Sequence, residues 1–392
     1  MIFQQMNLKQ KISRTAFAVI LSFAFSTITT GVQAAIAQTQ KQSGPLKITA
    51  DRQSYNPNLR EYNLSGKVHV TFQNMEIVGN QAKIEMDESG KPQLANFYNR
   101  PVFKHTVPEK GQNQVIGNTF KLFLTQDKYN ASGDVESVVN TVAADPFLIY
   151  ADTQSFDNNR RIVTANGNVK VDYQDTKAFS NSANLRMSAD GNAERVIFTG
   201  NAKIEKEASE IFGNRITVMV GSGNLIAEHN VKTNVTLKPE GKSKNTTSSS
   251  SPDDQPTRVY ISSDYQQYDK QSDIMIASGN VRILYGDYVA TGPKASFQLN
   301  NNNLDTIILT GRSTINEVGR RITADKIVIT TSPKNFDAFG NVKVSFPAKN
   351  VQSSTTQNTS TPSQKPATAN QSSNSKTNAD EASTPEDYDY EY

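Results

Sequence analysis

Hydrophobic and polar residues alternate with a period of two along most of this chain. The alternation is clear in "KVHVTF" (67–72), "VRILY" (281–285) and "VKVSF" (342–346). It recurs in four further stretches, at 82–86, 120–124, 216–220 and 295–299. A period of two is typical of antiparallel strands with one face buried and one face in water. No helical periodicity occurs beyond the N-terminal segment, so the pattern predicts an all-β protein.

The alternating stretches belong to an internal repeat. Near-copies of "ASGNVRILYG" (277–286) recur along the chain, and each is preceded by an aspartate at a constant distance of 15 residues. The pairs are Asp51 and Gly66, Asp152 and Gly167, Asp264 and Gly279, and Asp325 and Gly340. Two weaker copies keep the interval, from Asn118 to Gly133 and from Asn214 to His229, which replaces the glycine.

The repeat predicts a stack of strand–turn–strand rungs. One rung cannot bury its apolar face alone, whereas stacked rungs share one continuous interior. We expect each glycine to let the chain bend or bulge where a strand enters its turn. The aspartate or asparagine is expected to bond to nearby backbone amides at a strand end.

Composition divides the chain into five segments. Residues 1–37 have the layout of a secretory signal peptide, with basic residues before a short apolar run and small residues at the end. Rungs are predicted over 46–239 and again, as a shorter block, over 258–347. The stretch 240–257 is polar and Ser-rich, as in a linker or insertion. The tail, 348–392, has too little apolar content for a core and is predicted to be disordered.

The composition argues against several kinds of chemistry. The chain has no cysteine, a net charge of +3 and three histidines, which excludes thiol catalysis and gives no sign of a nucleic-acid partner. The histidines lie in different units without metal-ligand spacing. The aspartates recur once per unit, as a structural position does. We therefore expect no enzymatic activity, no cofactor and no metal site.

The rungs resemble the OstA/LptA family of periplasmic lipopolysaccharide-transport proteins. "ISSDYQQYDKQSDIMIASGNVRI" (261–283) and "IYADTQSFDNNRRIVTANGNVKV" (149–171) resemble the opening segment of that family. "RITADKIVIT" (321–330) and "NRITVMV" (214–220) resemble its following strand, and "FYNRPVF" (97–103) is similar to a Pro-bearing stretch of family members. The resemblance covers about residues 46–347.

This resemblance implies an elongated open β-jellyroll, the β-taco, whose apolar groove holds the acyl chains of lipopolysaccharide. It implies relay of the lipid across the periplasm, from an LptC-like inner-membrane component to an LptD-like outer-membrane component, and end-to-end homo-oligomers. The groove candidates are the inward apolar residues of the strands. They are Val68, Val70, Phe72, Ile84, Leu122, Val169, Val171, Ile204, Val218, Val281, Ile283, Phe297, Val342 and Val344.

Other functions remain open at this point. The same β stack could serve as a periplasmic adaptor that joins envelope proteins by edge-strand pairing without carrying lipid. A carbohydrate-active β-solenoid enzyme is a third alternative, and it would require carboxylates gathered in one cleft. If the N-terminal segment were retained as an anchor, the role would shift toward an LptC-like component.

Overall fold

A computed structural model describes residues 46–107, 111–141, 145–207, 209–237, 257–300, 303–331 and 334–346. The predicted signal peptide, nearly all of the predicted linker and the predicted disordered tail lie outside these residues. The described residues form strands and turns and contain no helix. The predicted all-β class is therefore confirmed.

The strands are numbered in chain order. The N-terminal ones are β1 Lys47–Thr49, β2 Arg52–Asn56, β3 Glu61–Phe72, β4 Met75–Met86, β5 Pro92–Tyr98, β6 Val102–Val107, β7 Gly111–Ile116, β8 Thr119–Phe123, β9 Lys128–Val139, β10 Phe147–Asp157 and β11 Ile162–Tyr173. The remaining ones are β12 Thr176–Met187, β13 Ala193–Lys206, β14 Ser209–Met219, β15 Asn224–Leu237, β16 Thr257–Asp269, β17 Ile274–Tyr285, β18 Tyr288–Asn300, β19 Asn303–Glu317, β20 Arg320–Thr331, β21 Lys334–Phe339 and β22 Lys343–Ser345.

All these strands belong to one antiparallel sheet in which chain neighbours pair. From β9 to β20, each strand hydrogen-bonds to the strand before it and the strand after it. Four rungs are instead made of two short strands. β1 and β2 both pair with β3, β5 and β6 both pair with β4, β7 and β8 both pair with β9, and β21 and β22 both pair with β20.

The sheet is continuous across the polar segment that separates the two predicted blocks. β15 pairs with β16 from Leu225–Tyr268 at one end to Leu237–Thr257 at the other. Residues 46–239 and 258–347 therefore contribute rungs to the same sheet. The described residues, 46–346 with their gaps, belong to one compact unit.

Five repeat glycines make a bulge inside a strand, and a sixth, Gly340, lies between β21 and β22. In β11 the register shifts between Asn166 and Val169, and Gly167 and Asn168 both have positive φ, of 76° and 46°. The same pair of left-handed residues occurs at Gly66, Gly133, Gly200, Gly279 and Gly340 and the residue after each. An extra residue bends the strand that carries it. We call each glycine, together with the residue after it, a corner. The prediction that the glycines lie where strands enter turns was wrong for the five that lie inside strands.

The aspartates lie against these corners. A Cβ on Gly167 would lie 2.1 Å from Asp152 Oδ2, so only a glycine lets the aspartate approach. Asn168, which follows the glycine, donates its side-chain amide to Asp152 at 3.0 Å. Asn280 and Asn341 do the same to the aspartates of their own units. The predicted partner was therefore wrong: these three carboxylates accept from asparagine side chains rather than from backbone amides.

The corners divide the sheet into two facing layers. The first layer contains residues 68–72 of β3 and 147–151 of β10, and the second contains 61–65 of β3 and 154–157 of β10. The layers contact each other through their apolar side chains. For example, the ring of Phe103 in β6 of the first layer lies 4.7 Å from the ring of Phe120 in β8 of the second layer. The inward residues form two clusters, the N-terminal core from Leu64 to Val135 and the C-terminal core from Val139 to Ile329.

Replacing a corner glycine should lower the free energy of unfolding by more than the backbone strain alone. Gly167→Ala forces a left-handed alanine, which costs about 1–2 kcal/mol, and also pushes its Cβ into Asp152. Gly90 has nearly the same φ, 78°, but no heavy atom lies within 4 Å of its would-be Cβ. We expect Gly167→Ala to lower the free energy of unfolding, measured in urea, by at least 1 kcal/mol more than Gly90→Ala. Equal losses would show that the corner tolerates a Cβ.

The protein should become more stable when the corner residue His229 is replaced by glycine. His229 occupies a glycine position with φ of 63°, and its side chain is exposed. Relief of about 1–2 kcal/mol of strain outweighs the entropy cost of about 0.5–1 kcal/mol for a new glycine. We expect His229→Gly to raise the free energy of unfolding by about 0.5 kcal/mol. His229→Ala, which keeps the Cβ, is the control; a similar gain there would contradict this explanation.

Candidate functional site

Most of the predicted groove residues point between the two layers. Those in the core are at most 5% exposed. They are Val68, Val70, Ile84, Leu122, Val169, Val171, Ile204, Val218, Val281, Ile283 and Phe297. The first four belong to the N-terminal core and the rest to the C-terminal core. The period-two pattern therefore identified the inward face of these strands.

Three predicted residues are not in the core. Phe72 is half-buried at the end of β3. Val342 and Val344 are 47% and 50% exposed, although Val344 is paired with Ile322, an inward residue of β20. The reason is their place in the sheet, because β22 is a three-residue strand that pairs only with β20. Within the described residues, no further strand covers this edge.

Side chains leave little space in the part of the C-terminal core around Phe147 and Val163. The space between the layers near Phe147 and Val163 amounts to a cavity of about 10 Å³, about the volume of one water-sized probe. It is lined by Phe147, Ile149, Val163, Ala165, Val171, Ala183, Leu185 and Val196, which come from both layers. At these rungs, the predicted groove residues serve as an ordinary packed core.

A larger space lies where the two cores meet. Phe156 of β10 packs against both cores, and its ring lies 5.7 Å from that of Tyr129 in β9. Beside it is a cavity of about 210 Å³, larger than the roughly 150 Å³ apolar cavity that accommodates benzene. Its apolar wall comes from both layers. The wall residues are Phe103, Val115, Tyr129, Phe156, Val163 and Met187.

Polar groups surround the opening of this junction cavity. Asn113 and Asn140 line it from the first layer, and the Asn113 side-chain oxygen accepts from the Asn140 backbone amide at 2.7 Å. Asn158 lines it from the second layer and donates to Asp127 at 2.7 Å. Arg161 adds a cationic side chain. An apolar wall with a polar rim suits an amphiphilic ligand that carries one apolar chain.

His105 is the titratable group of the first-layer wall. Burial lowers its pKa below the ordinary 6.5, and the nearby Asp127 opposes this shift with a smaller effect. The neutral imidazole is therefore the favoured form in the folded protein. At neutral pH, His105 adds a polar but uncharged surface to the cavity.

The repeat aspartates are not gathered at this cavity. Asp51, Asp152, Asp264 and Asp325 each contact the glycine of their own unit. In the described part of the chain, no group of three or more histidine, aspartate or glutamate side chains has an arrangement that could hold a metal ion. The arrangement fits a structural role for each aspartate at its corner.

Few features of the sequence indicate the junction cavity. It lies beside the rungs made of β5, β6, β7 and β8, where the glycine repeat is interrupted. A useful signal was present in "FYNRPVF", because Asn99 and Arg100 take positive φ before Pro101 and break the rung there. The break places Phe97 and Phe103 in different layers, each at most 2% exposed.

Neither a protein-family model nor a curated protein matches this sequence. Among solved structures, the chain is similar to LptH of Pseudomonas aeruginosa, described as the LptA-homologous periplasmic component of the lipopolysaccharide transport device. The identity is 16% and the TM-score is 0.30, over 33% of this chain and 95% of LptH. A similarity at this level carries no functional inference. No helix that could cross a membrane occurs in the described residues.

The buried His105 should make the protein sensitive to acid. Because the folded state disfavours the imidazolium, the unfolded chain binds more protons as pH falls through about 6.5, and stability is lost below that pH. We expect the melting temperature of the wild type to fall more between pH 7 and pH 5 than that of His105→Gln. His69→Gln, which changes an outward histidine on β3, is the control. An unchanged pH dependence in His105→Gln would contradict the assignment.

Proposed function

We propose that this protein binds acyl chains of lipopolysaccharide between its two β layers and passes the lipid across the periplasm. The donor would be an LptC-like component of the inner membrane, and the acceptor an LptD-like component of the outer membrane. Two or more copies joined end to end would lengthen the path. The proposal requires no catalytic step and no cofactor.

The observation that carries the proposal is the junction cavity. It has an aromatic and aliphatic wall, lies between the layers and has a polar rim. Moving apolar surface out of water is worth about 25 cal/mol per Å². Such a site can therefore hold part of an acyl chain while the ester or sugar portion of the lipid stays near the rim. The resemblance of the repeat to the OstA/LptA family supplies the identity of the lipid.

The packed core on the far side of the junction bears on how a chain would be carried. The rungs around Phe147 and Val163 leave a cavity of about 10 Å³, which is too small for an acyl chain. Passage beyond the junction would require the two layers to separate at these rungs. The layers are joined by strand corners and side-chain contacts, so this separation can occur without breaking the backbone ladder of either layer.

An adaptor function is favoured by a different observation. The last rungs expose apolar side chains, since Phe339, Val342, Val344 and Phe346 are 47% to 71% exposed. A short, apolar edge strand with free backbone groups is a place where another β protein can add a strand. An adaptor would use this edge and leave the junction cavity without a ligand.

Photo-crosslinking in living Gram-negative cells separates the two functions. We would place p-benzoylphenylalanine at Phe156, which lines the cavity, and at Tyr260, an aromatic residue 39% exposed on β16. Both changes replace one aromatic side chain with another. We expect a lipopolysaccharide adduct at Phe156 and none at Tyr260. Protein adducts alone, or no adduct at Phe156, would refute acyl-chain transport and favour the adaptor.

A further inference from the structure

Two glutamines occupy apolar core positions of the repeat. Gln154 and Gln266 each stand two residues after a corner aspartate and are 1% exposed. At the same place two other units carry Ile216 and Ile327, which are fully buried. A carboxamide in a core position needs both its oxygen and its amide hydrogens satisfied to avoid a loss of stability.

Each glutamine forms one hydrogen bond from layer to layer. Ser137 in the first layer donates to the Gln154 side-chain oxygen at 2.8 Å. Thr233 donates to the Gln266 side-chain oxygen at 2.6 Å. These hydroxyls stand four residues after a corner residue, where the corresponding residues of other units are Val70, Val171 and Ile283. In both units, therefore, a polar pair has replaced an apolar pair.

The amide nitrogen of each glutamine has no hydrogen-bond partner. The Gln154 carboxamide also lies near the Tyr129 hydroxyl: burial raises the pKa of this phenol, and the interaction with Gln154 opposes that shift with a smaller effect. Burial of an unsatisfied donor reduces stability. A buried amide N–H without a partner can donate a hydrogen bond to a ligand oxygen.

Gln154 does not itself line the junction cavity, but neighbouring residues on its own strand and on β9 do. It pairs across the sheet with Ala131 and Ala165, whose small side chains leave space around the carboxamide. The next inward residue of β10 is Phe156, and Tyr129 is the inward residue before Ala131 on β9; both line the junction cavity. Ala165 lines the small cavity on the other side. A chain that extends from the junction cavity toward the small one would pass the carboxamide.

We propose that the junction cavity binds an acyl chain that carries an oxygen atom, either a hydroxyl or an ester oxygen, and that Gln154 recognises this oxygen. The Gln154 side-chain nitrogen donates to the ligand oxygen, and the Ser137 hydroxyl keeps the carboxamide oriented by bonding to its other end. This inference rests on the proposed acyl-chain function and adds a chemical preference to it. An unsubstituted acyl chain would leave the buried donor unpaired.

Gln266 provides a matched control within the same chain. It has the same burial, the same hydroxyl partner type and the same unpartnered nitrogen. Its register neighbours are Ala227 and Ala277, and the next inward residue of β16, Tyr268, does not line the junction cavity, whereas Phe156 does. If a substitution affects ligand binding only because it removes a buried polar pair, it should have the same effect at Gln154 and at Gln266.

The experiment uses the full-length wild type, Gln154→Met and Gln266→Met, since methionine has a similar shape without the amide. Binding of dodecanoic acid and of 2-, 3- and 12-hydroxydodecanoic acid is measured by calorimetry. For the wild type, we expect at least one hydroxy acid to bind about five- to tenfold more tightly than dodecanoic acid, as one hydrogen bond allows. Gln154→Met should lose this preference, and Gln266→Met should retain it.

A second measurement does not depend on the folding of a variant. The side-chain amide signals of Gln154 in the wild type, observed by nitrogen-edited NMR, should move on addition of the preferred hydroxy acid and not of dodecanoic acid. Equal affinities for all four probes, a preference that survives Gln154→Met, or unmoved amide signals would show that the glutamines only align the layers. If none of the probes binds to the wild type, the acyl-chain function fails as well.

Discussion

The glycine corner, found inside β3, β9, β11, β13 and β17, is the constraint on which this structure depends. Two consecutive residues in the left-handed region, a glycine followed in most units by an asparagine, insert one extra residue into the ladder and bend the strand. Neither residue type is accidental. Glycine adopts positive φ without a Cβ penalty, and asparagine tolerates it while its side chain bonds to the aspartate of the neighbouring strand.

The corner also explains why a single sheet can have a buried face without a second domain to cover it. Bent strands fold the sheet over, so that residues on the two halves of one strand face each other. Phe103 and Tyr129, which belong to different layers, come to 4.9 Å between ring centroids in this way. Side chains at inward positions on both sides of the corner then share one interior, and burial of each large apolar side chain contributes about 1.5–3 kcal/mol.

Much of this arrangement was predictable from the sequence, because its two signals are local. Alternation fixed the inward face, and the constant interval between Asp152 and Gly167 marked a repeating contact. What the sequence could not give was the place of that contact within the strand. A glycine before a strand-like run is compatible with a turn or with a bulge, and only pairing with the next strand distinguishes them. The exposure of Val344 likewise could not be predicted from the sequence. It depends on which strands flank β22, and the alternation of apolar and polar residues does not show this.

The junction cavity follows from an interruption of the same rule. Where Pro101 breaks a rung, two short strands replace one bent strand, and the aromatic residues of the neighbouring rungs fill the space incompletely. A repeat that is regular packs its interior fully, as the rungs around Val163 and Leu185 do, and leaves no volume for a ligand. A binding site inside such a stack therefore requires a local departure from the repeat. In this protein, the broken rungs of β5 to β8, the unfilled volume and the buried Gln154 lie near the place where the two cores meet.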